Sequence, residues 1–139
     1  MTAAPQSRAA GLPVRPGEDP WTEAEVEQVR AELEGEAATL RSEIGQAESD
    51  IAERMGDSVV AAGDDEADAS SKVTQREHDL ALTRNARELL EQTEHALALI
   101  EAGTYGVCES CGKPIGKARL QAFPRATLCV ECKQRQERR

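Results

Sequence analysis

From Val26 onward, apolar residues recur in steps of three and four: Val26, Val29, Leu33, Ala37, Leu40, Ile44, Ala47, Ile51 and Met55. One apolar stripe over roughly 30 residues predicts an amphipathic helix of roughly 45–50 Å. Thr22, with Glu25 three residues later, reads as a capping box at its start, while Gly35 and Gly45 each weaken it by about 1 kcal/mol relative to alanine. A second helical run spans Ala69 to Ala102, with Val73, Leu80, Leu90, Leu97 and Ile100 as its clearest apolar positions. Its middle is less regular, since Thr83, Arg87 and Thr93 or Glu94 take expected seam positions, and Gly103 is a C-terminal stop. Stripes this narrow are not stable alone. Joined by a short link they bury each other, so residues 21–103 are expected to form a long antiparallel coiled-coil hairpin with its turn between Gly56 and Asp68. The stripe is read as packing and assigned no cofactor. His78 and His95, on the second run, are read as ordinary surface residues.

Composition supports an all-α fold. The 139 residues include one Trp, one Tyr and one Phe, and 31% of them are charged, a balance suited to solvent-washed helices and not to a large core. Residues 1–20 hold four of the six prolines and no hydrophobic period, and they read as a disordered leader. The net charge of −9 is uneven: residues 108–139 carry eight Lys/Arg against three Glu, a net of +5, which leaves −14 on the rest. An acidic arm joined to a basic head disfavours sequence-specific DNA binding, because most of the molecule repels a duplex. No stretch approaches the roughly 20 apolar residues of a membrane span, and the N-terminus lacks the apolar core of a secretory signal. A cytoplasmic monomer is expected.

Four cysteines form two close pairs, Cys108-Glu-Ser-Cys111 and Cys129-Val-Glu-Cys132, separated by 17 residues. In a reducing compartment such pairs read as metal ligands, since two intervening residues let both thiolates converge on one ion. Two pairs complete a tetrahedral S₄ shell with no open position, which predicts one structural Zn²⁺. Iron also accepts such a shell. A redox dithiol fits poorly, because there are two pairs and no thioredoxin-like pattern around either. Gly106 and Gly112 suit the turns, and Ile115, Leu120 and Leu128 can form a small core beside the metal. A module this small, residues 104–139 with a short basic C-terminal helix, is expected to draw most of its folding free energy from the ion.

The run Gly103-Thr-Tyr-Gly-Val-Cys-Glu-Ser-Cys-Gly112, with Ile115, Gly116, Arg119-Leu120, Ala122, Pro124, Leu128-Cys129 and Cys132-Lys133, resembles the DksA/TraR family of bacterial RNA-polymerase regulators. The likeness is close over about residues 65–133; the first helix is similar only in length and pattern. The resemblance implies a helical hairpin on a four-cysteine zinc module. It also implies a non-enzymatic protein that enters the secondary channel of RNA polymerase and adjusts initiation. The family's tip motif, Asp-x-x-Asp-x-Ala, falls on Asp65, Asp68 and Ser70, the last a departure from alanine, within an acidic tip near residues 57–68. Some family members share with the polymerase a site for the alarmone ppGpp. Lys133 matches one basic residue of that site, but Gln92 and Phe123 stand where two others are expected, so ppGpp synergy should be weak or absent.

Two functional readings follow. The first is a transcription regulator acting on RNA polymerase through its tip. The alternative is a zinc-clamped coiled-coil module serving another assembly. Paired aspartates at the far end of a hairpin favour the first, although the same acidic residues also serve to solvate a turn and cap the second helix. An enzyme using Asp65 and Asp68 as acid and base lacks a nucleophile and a preorganising scaffold.

Overall fold

The computed structural model describes residues 9–60 and 66–138, with the side chains of residues 55–60 and 66–69 outside that description. Among the described residues these helices follow in order: α1, Glu23–Val60; α2, Glu66–Ala102; α3, Lys117–Ala122; and α4, Val130–Glu137. Among the described residues there is no strand, and Val107 and Pro114 form an isolated antiparallel bridge.

Local chemistry fixes the helix ends. The Thr22 amide donates to Glu25 Oε1 at 2.9 Å and the Glu25 amide to Thr22 Oγ1 at 3.2 Å, so the capping box closes in both directions. At the end of α2, Gly103 takes φ +76°, its amide donates to Ile100 O at 3.1 Å, and the Thr104 amide donates to Leu99 O at 3.0 Å. These are the two bonds of a Schellman motif. Both helices run longer than the sequence pattern suggests, 38 and 37 residues. Helix continues through Gly35, Gly45 and Gly56, because one weak residue does not interrupt a ladder that tertiary packing supports.

Two compact units share these helices: Met1–Gly35 with Gln92–Arg139, and Glu36–Glu91. In the first, Val29, Leu33, Ala96 and Ile100 are buried, and Arg30 pairs with Glu101 at 3.0 Å. In the second, Ala37, Leu40 and Ile44 of α1 are buried together with Thr83 of α2. There Glu48 pairs with Arg87, and Arg54 with Asp79. Partners rise in number on α1 as they fall on α2, which is the antiparallel hairpin expected.

The seam of α2 differs from expectation at two positions. Val73 and Leu80 are 49% and 46% exposed, while Asp79 and Thr83 face α1.

The leader also departs from its expectation. Residues 1–8 lie outside the described residues, but Ala9 and Leu12 are 4% and 5% exposed and join the core of Trp21, Tyr105, Ile115 and Leu120. Ala9 and Ala10 are helical and the residues after them are irregular, so prolines and an aperiodic sequence do not preclude burial.

Candidate metal centre

The first cysteine pair rides on a tight turn. The Cys108 amide donates to Lys113 O at 2.8 Å, the Gly112 amide to Cys108 O at 2.9 Å, and the Ile115 amide to Gly106 O at 2.8 Å. Gly112 closes the turn at φ +77°, a left-handed conformation that glycine adopts without a Cβ penalty. The Glu109 amide reaches Thr127 O at 2.9 Å, which lays this turn beside the approach to the second pair. Cys129 immediately precedes α4 and Cys132 lies in its first turn, three residues on, so both sulfurs leave the same side of the chain.

All four Sγ atoms lie within 4.8 Å of one another, and Cys111 and Cys129 are 3.8 Å apart. A tetrahedral shell with metal–sulfur bonds of about 2.3 Å has sulfur–sulfur edges of about 3.8 Å, so the cluster has the dimensions zinc requires. Cys108, Cys129 and Cys132 are buried and Cys111 is exposed.

The cluster's electrostatics call for a cation. Burial opposes ionisation of Cys108, but amide N–H groups of Cys129, Cys111 and Ser110 outweigh it and lower the thiol to about 6. At Cys132 a hydrogen bond with Ser110 favours the thiolate, yet Cys129, burial, Cys111 and Cys108 together push the thiol up to about 12. One sulfur readily carries charge and its neighbour then resists, so four thiolates this close require a central dication.

Around the cluster, Tyr105 Oη donates to Pro124 O at 2.9 Å, and burial pushes its phenol above the ordinary range. Arg119 Nε donates to Leu128 O at 3.1 Å, and His95 Nε2 lies 2.6 Å from Glu109 Oε2, tying α2 to the first cysteine turn. His95 is exposed, as its sequence context predicts, and no local pattern signals its pairing with a residue 14 positions away.

Of the other candidate residues, Asp65 lies outside the described residues, and Asp68 lies in the first turn of α2 with its side chain outside them. Ser70 is exposed, and its carbonyl accepts from Thr74 Oγ1 at 3.1 Å. Lys133 is exposed on α4. Phe123 is 62% exposed with the Arg119 guanidinium 5.7 Å from its ring centroid.

The model of the prokaryotic dksA/traR C4-type zinc finger matches residues 103–138. With this match on the same four cysteines, the cluster is a site for one structural zinc ion. An RNA polymerase-binding transcription factor DksA from Caulobacter vibrioides is 45% identical over 75 residues, 54% of this chain and 53% of that protein. The protein of the same name from Escherichia coli K12 is 36% identical over 69 residues, 50% of this chain and 46% of its own. The matches thus span about half the length of these curated relatives. The solved structure of transcription factor DksA2 from Pseudomonas aeruginosa superimposes with a TM-score of 0.68 at 34% identity, covering 84% of this chain and 85% of that one. Sharing fold and sequence with DksA2 over most of both chains, and a C4 finger on its four cysteines, this chain belongs to the DksA/TraR family.

Proposed function

We propose that this protein is a transcription regulator that binds RNA polymerase directly and inserts the acidic tip of its hairpin into the secondary channel to modulate initiation. The observation that carries the reading is the DksA2 likeness, which spans hairpin and zinc module alike, together with relatives named as RNA polymerase-binding transcription factors. Zinc holds the base; Asp65 and Asp68, with Ser70 beside them, act at the tip. No chemistry is assigned to the chain. It works as a cytoplasmic monomer, contacts no specific DNA sequence, and responds to ppGpp weakly or not at all. The last point rests on Gln92 and on Phe123, an exposed ring beside Arg119 that offers a polyanion no charge of its own. Lys133 is the remaining cation of that set.

Binding of core polymerase and transcription in vitro, measured side by side, test the reading. Asp65→Asn with Asp68→Asn is expected to abolish the effect on transcription while sparing binding, because near-isosteric changes that remove only charge seldom disturb a fold. If the double variant regulates as well as the unaltered protein, the tip only solvates a turn. If the unaltered protein does not bind polymerase, the chain is a coiled-coil module for another assembly.

A further inference from the structure

The segment before α1 is built into the zinc module by contacts that bypass the cysteine sulfurs. Glu18 supplies the missing N-cap of α3: Gly116, at the cap position, has no side chain, and Glu18 reaches in from about a hundred residues away. Its Oε1 accepts from the Lys117 amide at 2.9 Å and the Arg15 amide at 2.8 Å, and its Oε2 from the Ala118 amide at 3.0 Å. Lys117 Nζ returns the contact, 2.6 Å from Glu25 Oε1, 3.4 Å from Pro20 O and 5.9 Å from the centre of the Trp21 ring. The segment lies directly on backbone. Gly116 has φ +112°, and a Cβ there would stand 2.9 Å from Arg15 Cδ; at Gly106, φ +100°, a Cβ would meet Leu120 Cδ1 at 3.3 Å and Pro13 Cγ at 3.6 Å. Beneath it, Leu12, Trp21, Tyr105, Ile115 and Leu120 are all 5% exposed or less.

Zinc modules that unfold without their ion do so because they have no other core. Here Trp21 and Tyr105, the two largest fully buried side chains among the described residues, share one buried cluster with Leu12 of the leader. We propose that residues 9–20 are a metal-independent latch. Keyed by Glu18 and Leu12, the latch keeps Trp21, Tyr105, Ile115 and Leu120 assembled when zinc leaves. Metal loss then loosens the two cysteine turns and α4 and does not unfold the unit. Zinc occupancy becomes a local variable of the cysteine face, independent of the polymerase reading above.

Trp21 is the sole tryptophan and is 2% exposed, so it reports the latch directly. Acrylamide quenching is measured on the full chain, zinc-loaded and after chelation under reducing conditions. For the unaltered protein, chelation is expected to raise quenching by no more than about twofold, the mark of local and not global opening. The zinc-loaded Glu18→Ala protein stays close to the unaltered one, whereas its chelated form approaches the urea-unfolded value. Leu12→Ala repeats the comparison without touching the carboxylate, and Glu18→Gln takes its place if Glu18→Ala fails to load zinc. Two results overturn the proposal: full exposure of Trp21 on chelating the unaltered protein, or chelated Glu18 and Leu12 variants as protected as the chelated unaltered chain.

Discussion

Replacing Leu12 by alanine separates a packed leader from an inert one. Its side chain is 5% exposed within the cluster of Trp21, Tyr105, Ile115 and Leu120. Buried Leu→Ala changes cost about 2–5 kcal/mol, with the lower half expected where a segment can settle toward the void, so about 2–3 kcal/mol is expected here. With a urea dependence of about 1.5 kcal/mol per molar, the unfolding midpoint falls by about 1.3–2 M. The titration is followed by Trp21 emission with zinc in excess, so that the signal reports the base and metal loss does not contribute. A disordered leader predicts a change within about 0.5 kcal/mol, or about 0.3 M. A shift that small would show that Leu12 packs no better than a surface residue, and the latch would fall with it.

The purified, reduced protein should hold one equivalent of zinc by metal analysis, and Cys111→Ser should fall well below one, since a three-sulfur shell loses both a bond and its closed geometry. Acid should weaken the base: a hydrogen bond from Lys117 leads in holding Glu25 down to about 2 from 4.5, and backbone amides hold Glu18 below 4.5 against burial. Both carboxyls bind protons less readily folded than unfolded, so their contribution is full above about pH 4.5 and is lost as pH falls toward 2. The Trp21-monitored midpoint should drop across that window, and Glu25→Gln should flatten the drop; an unchanged slope in the variant would refute the assignment. Addition of ppGpp should change the effect on transcription little, and a large saturable enhancement that Lys133→Ala removes would show that Gln92 and Phe123 do not matter.

What could be read from the sequence divides by contact range. Thr22 and Glu25, Gly103, and each Cys-x-x-Cys turn work through bonds spanning three to five residues, where covalent spacing alone settles what can meet. The joining of the two cysteine pairs was also legible, because four thiols seldom have another use for that spacing. Glu18 was not: its partners lie 99 and 100 residues away, and nothing nearby distinguishes a capping carboxylate from a solvated one. The prolines of the leader added a false signal, since Pro13 rests beside Gly106 in a segment that is irregular and packed together.

The seam of the unit Glu36–Glu91 shows why apolar period alone misplaced Val73 and Leu80. Here α1 contributes Ala37, Leu40 and Ile44, all buried, whereas the one buried side chain of α2 among the described residues of this unit is Thr83, whose hydroxyl donates to Asp79 O at 2.9 Å. With apolar residues mostly on one side, sliding α2 by a residue loses little burial, so hydrophobicity specifies register weakly. Charge supplies what is missing. Glu48 meets Arg87, and Arg54 meets Asp79, six residues further along α1 and eight back along α2. The exposed Glu48–Arg87 pair contributes only about 0–1 kcal/mol, too little to hold the helices together. A slipped or parallel alignment forfeits both pairs and leaves the Asp79 carboxylate, only 14% exposed, facing the seam without its cation. The pairs therefore select among alignments that packing leaves nearly equal, which is how polar seam positions act in coiled coils generally.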